Sequence, residues 1–479
     1  MSSGHAAEVA VSAPARRRWL LPAVVFALVL AAQLFLVARI GTDIPFQDEW
    51  DVEGRLTFPA WRDGTWHASS LWRAHNEHRI FWTRSLDLAL FSVNRQWDPL
   101  VELAASAMVR AAAAAVLAAM LGAGLGRGGR VLVAAGLVFF FLPHVAWQNA
   151  LWGFQSQVYF ALLFSLLALA LLGQATRSPR QLVAGFAAGV AALFAMGSGA
   201  FVPVALLGLA LVRAAERRRF DGAFWRESAP ALALLALALV LRVDVPGNAT
   251  LHAHTMGEFF NALGRALAWP HTGMPAAALV LNLPLLIVVG ARVTGRRRPA
   301  LGEDFVVLIG GWAVGAAGAM AWSRGGGHEF DAGVTIRYVD FLLLLPIANV
   351  WCVAQLLREA KAPRWRLARM IAAAWAVFLL AGWLGVSAQI MRGFILPRMR
   401  DRDAPVRLAL AFQQSGDARV FAGQPPILTP HPNPESVRSV LQDPRMRGAL
   451  PPSFQPGEPM GPLSRAVRAV LGRASEISK

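Results

Sequence analysis

Asp48-Glu49-Trp50-Asp51 places three carboxylates within four residues, shortly after the apolar run Trp19 to Ile40. A run of that length spans a bilayer core, so the cluster lies at a membrane surface, on the side the N-terminus does not occupy. Glycosyl transfer to a hydroxyl needs a carboxylate that takes the acceptor proton as the anomeric carbon is attacked, at the level where a lipid-borne sugar emerges. Asp48 or Glu49 meets both demands. Two adjacent carboxylates repel, which raises one pKa and favours a base. Equally, Asp48 could cap a surface helix or pair with a loop arginine, and Asp51 reads as a helix cap or structural partner.

A second polar group follows in the same loop, His75-Asn76-Glu77-His78-Arg79. On a helix, His-x-x-His puts two imidazoles on one face, where Glu77 and a histidine could meet a divalent cation. The same residues could instead fix sugar hydroxyls and phosphate, or form a plain hydrogen-bonded network. No metal ligand set and no cofactor is assigned beyond that open divalent cation. Further on, Gln155 and Gln157 at the boundary of another span could hold a sugar or tie two helices together. A lipid-phosphate leaving group needs positive charge aimed at it, and Arg337, at the mouth of a late span, is the best placed, unless it only snorkels to the interface. Arg79 is second, with Arg265 and Arg324 in reserve. His252, His254, Trp269 and His271 could line an acceptor entrance or simply be solvated. Arg110, inside a span, should face the interior and pair with Glu102 or another polar group.

These residues must be positioned by membrane-spanning helices. With 56% hydrophobic and 16% charged residues and mean hydropathy +0.46 over 479 residues, the chain is an all-α polytopic membrane protein rather than a soluble globule. The formal charge of +17 sits largely in short loops, where it sets topology, so nucleic acid is not expected as a partner. Cys352, the single cysteine, lies in an apolar segment and reads as a small buried residue. Apolar runs predict about eleven spans, near 19–40, 100–122, 130–146, 157–173, 181–196, 199–213, 228–242, 276–292, 304–322, 338–357 and 369–390. Residues 181–213 could be one kinked span or a hairpin turning at Gly197-Ser198-Gly199. Only the hairpin puts the six basic clusters (Arg16–Arg18, Arg127/Arg130, Arg177/Arg180, Arg217–Arg219, Arg296–Arg298, and Arg358 to Arg366) on one side, which is then cytoplasmic.

The expected organisation is a cytoplasmic N-terminus over 1–18, a transmembrane domain over 19–390, and a Pro-rich tail over 391–479 on the outer side, wrapped on that face or partly disordered. The first outer loop, 41–99, should carry surface helices and the candidate site. Trp61, Trp66, Trp72, Trp82 and Trp97 suit a headgroup belt over those helices.

Asp48–Asp51, then His75–Arg79, then Leu151-Trp152-Gly153-Phe154-Gln155 resemble, in order and slot, the GT-C membrane glycosyltransferases, and among them bacterial proteins carrying these three motifs. The resemblance is sharp only at the motifs. It implies a GT-C-like fold, a polyprenyl-phosphate-linked sugar as donor, and a glycan, lipid or protein acceptor at the outer face of a bacterial cytoplasmic membrane. It puts Asp48 at the catalytic carboxylate with Glu49 as neighbour, and assigns substrate binding to His75, Asn76, Glu77, His78, Arg79, Trp152, Gln155, Gln157 and the pair Arg337-Tyr338. The competing expectations are a lipid or polysaccharide transporter, which would concentrate ionisable groups at the bilayer midplane, and a non-catalytic assembly protein.

Overall fold

The structure, a computed structural model, describes residues 15–327, 334–360 and 365–472. Among the described residues, nine helices are long and apolar enough to cross a membrane, which makes this a multi-pass α-helical membrane protein. Two of the eleven expected runs fold as shorter helices, Ala277–Val293 of 17 residues and Pro179–Leu193 of 15.

The bundle begins with α1 (Ala15–Ile40), followed in the first loop by α2 (Phe81–Asn94). Then come α3 (Pro99–Leu121), α4 (Arg127–Phe140), α5 (Ser156–Leu172), α6 (Pro179–Leu193), α7 (Phe201–Arg217) and α8 (Gly222–Leu241). The second half holds α9 (Met256–Leu267), α10 (Ala277–Val293), α11 (Glu303–Arg324), α12 (Leu344–Glu359) and α13 (Trp365–Ile390). Local chemistry sets the starts. The side chain of Asp98 accepts from the amide of Leu100 with Pro99 in the first turn of α3, and Asp221 does the same for α8. Ser178 with Gln181, and Thr255 with Glu258, form reciprocal caps on α6 and α9. α1 packs along α3, α5 lies between α3 and α6, and α11 contacts α7, α9 and α12.

Contacts between helix termini define two ends of the bundle. At one, Arg213 near the end of α7 donates to the carbonyl of Gly173 after α5 and pairs with Asp304 at the start of α11. Arg217 meets Glu227 at 3.0 Å, Arg292 meets Glu216 at 2.6 Å, and Arg297 bridges Glu303 and Glu359. At the other end the carbonyl of Phe194, after α6, accepts from the amide of Phe81, and the carbonyl of Leu241 accepts from Arg79. α6 and α7 therefore run in opposite directions across a turn at Gly197–Ala200, the hairpin geometry. A Cβ on Gly199 would come within 2.3 Å of the Ala192 carbonyl oxygen, so the reversal needs glycine there. Arg127, Arg177, Arg217 and Arg297 accordingly share the first, cation-rich end, while Lys361 and Arg364 lie outside the described residues.

Inside the bundle Arg110 pairs with Asp340 at 3.0 Å, not with Glu102, and donates to the carbonyl of Phe141 at 2.8 Å. Asn149 donates to the second Asp340 oxygen at 2.9 Å, so the buried charges are fully partnered.

The opposite end carries a second hydrophobic core that joins the first loop to the tail. Trp50, Phe58, Phe91 and Trp97 pack against Phe412, Phe421, Val437, Met446 and Phe454. Trp97 is thus a core residue rather than part of an aromatic belt, whereas Trp61 and Trp72 are exposed. The last apolar helical stretch runs to Arg400, past the expected end at 390. Beyond it the described tail is packed, with α14 (Ala404–Ser415), α15 (Pro434–Leu441) and α16 (Pro462–Val470). Three ties close this outer layer. The Gln47 amide donates to the Pro430 carbonyl at 2.6 Å, Ser453 donates twice to Asp43, and Arg468 is buried between Asp98 and Asp43. Removing Arg468 would leave two buried carboxylates uncompensated, so Arg468→Ala is expected to destabilise the outer layer by about 3–5 kcal/mol. Limited proteolysis of the tail and thermal unfolding of the purified protein read that loss.

Candidate active site

The chain leaves α1 through Gly41 and turns at Gln47, whose φ of 54° is left-handed. It then enters a wide π-type turn, Trp50–Thr57, continued by the short helix Phe58–Arg62. This places the acidic residues in different environments. Glu49 is buried, and its carboxylate accepts from the amide of Phe46 at 2.7 Å and of Phe154 at 3.1 Å. Burial pushes its pKa up to about 7, with Asp48 adding to the rise and the backbone amides of Phe46, Phe154 and Gly153 opposing it. Gly153 explains itself here, since a Cβ would fall 2.6 Å from a Glu102 oxygen and 3.0 Å from Glu49. The Leu151–Gln155 motif and the first acidic motif are thus one packed unit.

Asp48 points the other way. Its side chain is 36% exposed and lies 3.4 Å from Nε2 of His75, which Asn76 also contacts at 3.2 Å and which packs edge-on against Phe154. Asp51 pairs with Arg55 and with His431 of the tail at 3.1 Å. Burial pushes the Asp51 carboxyl up, but Ser436, Arg55 and His431 outweigh it and hold the pKa below its ordinary value. It is a structural partner, as one reading of the sequence has it.

His75–Arg79 is not helical. Ala74–His75 (β1) and His78–Arg79 (β2) form a two-residue antiparallel hairpin with His75 opposite His78, turning through Asn76 at a φ of 48°. Asparagine tolerates that left-handed conformation, which outweighs the helical spacing of the histidines. The two imidazoles then part. His75 turns to Asp48, and Nδ1 of His78 accepts from the amide of Gly197 at 3.4 Å. Loss of water around the ring, with Arg324 nearby, pushes His78 down to about 4, so it is neutral at pH 7. Glu77 pairs with Arg324 at 3.0 Å and accepts from Asn248. Among the described residues no group of three or more His, Cys, Asp or Glu side chains is arranged to hold a metal ion.

The remaining expected residues divide. Trp152 stacks near Phe46 and Phe154 beside the acidic unit. Gln155 and Gln157 are buried, and the side-chain oxygen of Gln157 has no partner among the described residues. Arg79 is spent on the carbonyls of Trp72 and Leu241. Arg337 lies over the Tyr338 ring at 5.2 Å and its carbonyl takes Asn149; among the described residues no hydrogen bond or ion pair links it to Asp48, His75 or Glu77. His271 stacks on Phe378 and hydrogen bonds to its carbonyl at 2.7 Å, which is a packing role. The sequence alone did not point to His431, Asn248, Arg468 or the buried carboxyls Glu53 and Asp87. Only Asn433, capping α15 two residues after His431, marks that part of the tail as structured.

Glu53 and Asp87 are buried next to each other, and among the described residues their carboxyl oxygens have no other hydrogen-bond partner. Burial, then Asp87, Glu102 and Glu49, raise Glu53 well above the carboxylate range; burial and then Glu49 do the same for Asp87. Compared with known proteins, the sequence matches no protein-family model and no curated protein.

A carboxyl whose folded pKa lies above its unfolded value holds more protons when folded, so its stabilisation is complete below the unfolded pKa and declines as pH rises. For Glu49 that window runs from 4.5 to about 7. Glu53→Gln keeps the neutral shape, so at pH 8 it is expected to be more stable than wild type by about 1–3 kcal/mol, and close to it at pH 4. Thermal shift in detergent across that range is the check.

Proposed function

We propose that the protein transfers a sugar from a polyprenyl-phosphate carrier to an acceptor hydroxyl at one membrane face. The observation that carries this reading is the sorting of the acidic residues. Glu49, Glu53 and Asp87 are buried; Asp48 and Asp51 are about equally open, but Asp51 is held by Arg55 and His431, whereas Asp48 meets only the imidazole of His75 among the described ion pairs. An accessible carboxylate with an imidazole beside it has the form of a general base with an orienting neighbour. It stands at the bundle end away from the cation-rich loops. By the positive-inside rule those loops face the cytoplasm of a bacterial cell, which puts Asp48 and the tail on the outer face of the cytoplasmic membrane and the N-terminus inside.

In this reading Asp48 takes the proton of the acceptor hydroxyl as its oxygen attacks the anomeric carbon. The bond to the lipid phosphate breaks, and its electron pair leaves with the phosphate, which needs no protonation. His75 holds Asp48 in place, and the buried rings of Trp152 and Phe154 support His75 and the acidic unit from behind. The three motifs resemble those of GT-C glycosyltransferases, which supports the same chemistry. The buried Arg110 and Asp340 neutralise each other at hydrogen-bond distance, which favours a structural pair over a transport relay.

In proteoliposomes with labelled polyprenyl-phosphate sugars, Asp48→Asn is expected to lower transfer by about 10²–10⁴-fold, the range for loss of a general base. His75→Ala should cost less, about tenfold, because it removes only the neighbour. Wild-type transfer by Asp48→Asn would refute the assignment.

A further inference from the structure

α4 packs along α1 and α3 but stands off from α12. The side of α4 that carries Gly129, Leu132, Gly136 and Phe140 looks across a cleft of about 300 Å³ at Val350 and Trp351 of α12. Steps of three and four residues mark one side of a helix, so the cleft runs along the helix axis. Gly136 keeps it open, since a Cβ built there meets no atom within 4 Å. Both helices belong to membrane-crossing segments, Arg127–Ala150 and Ile336–Glu359, and partway along them Leu132 is 74% exposed and Val350 41%. Apolar side chains exposed within a span face hydrocarbon, so the cleft opens sideways to the bilayer.

The two ends of the cleft differ. At the far end Phe140 and Ile347 make it apolar. At the cation-rich end it is lined by Gln355 and Arg358, one turn apart at the end of α12. Gln355 is 9% exposed, yet neither side chain makes a hydrogen bond or ion pair with a described residue. The adjoining carboxylate, Glu359, is taken by Arg297. At the same end α4 begins after Gly126 with no side-chain cap, which leaves its first-turn amides to an outside acceptor. Gly129 to Phe140 spans about 17 Å of helix, so the cleft has a mean section of about 18 Å², the girth of one hydrocarbon chain. A partner helix, about 10 Å across, needs about 80 Å².

We infer that this cleft holds one acyl chain of an anionic phospholipid from the leaflet at the cation-rich end, with the lipid phosphate at Arg358, Gln355 and the first turn of α4. A guanidinium and uncapped helix amides both suit phosphate, and the chain lies along Leu132, Gly136 and Phe140. The headgroup end is opposite the end that carries Asp48. The site is therefore separate from the proposed sugar transfer and stands or falls without that reading.

The test places the full-length protein in phosphatidylcholine vesicles with a trace of phosphatidylglycerol whose acyl chain carries a photoactivatable diazirine, and locates the labelled peptides by mass spectrometry. Label is expected on Leu132–Phe140 and Ile347–Ala354. Arg358→Ala should lower it about tenfold or more, the range for one charge-assisted contact. Gly136→Leu puts a side chain into open space with a better helix former, so it is expected to fold and to lose the label. The same diazirine carried on phosphatidylcholine should label these peptides weakly. Label spread evenly over the spans, or unchanged in Gly136→Leu, overturns the site. Equal labelling by phosphatidylcholine, or none lost in Arg358→Ala, overturns the anionic headgroup. Crosslinks between two copies of the chain through α4, in place of lipid label, would make the cleft a protein interface and contradict the assignment.

Discussion

The Glu49 carboxylate, buried and held by the amides of Phe46 and Phe154, is the interaction on which the site depends. It joins the exit of the first span to the Leu151–Gln155 segment, about a hundred residues later in the chain. The joint fixes the direction of the next side chain back, so Asp48 is turned outward to His75. Gly153 is part of the same constraint, because only a residue without a side chain lets that backbone come so close to two carboxyl groups.

The outer layer extends this principle. Buried carboxyls at this end of the molecule are tolerated where they are partnered, as Asp43 and Asp98 are by Arg468, or where they are neutralised by taking up a proton, as burial demands of Glu53 and Asp87. The Pro-rich tail has too little apolar periodicity for a core of its own, yet it supplies half of one. Phe412, Phe421, Val437 and Met446 complete a core whose other half is Trp50, Phe58, Phe91 and Trp97. The acidic motif is therefore clamped from below by the spans and from the side by the tail.

The membrane helices were legible because bilayer thickness imposes length and hydropathy on each of them, and basic loops marked their alternation, including the reversal at Gly197–Ala200. Two runs gave short helices because hydropathy registers composition, while helix length follows from caps and packing partners. The site was legible by motif but not by conformation. His75 and His78 have helical spacing, but the left-handed turn at Asn76 makes them a hairpin and sends them to different partners. Nothing local distinguishes Asp48 from Glu49; which one is buried depends on Phe154, far away in the chain.

Of the two open carboxylates in the acidic motif only Asp48 lacks an arginine partner among the described residues, and one base with a phosphate leaving group permits a single direct displacement. The most direct measurement is the anomeric configuration of the product, read by nuclear magnetic resonance after transfer from a donor of defined configuration. Inversion is the predicted result. Retention would require a covalent glycosyl intermediate and would contradict Asp48 acting as a general base.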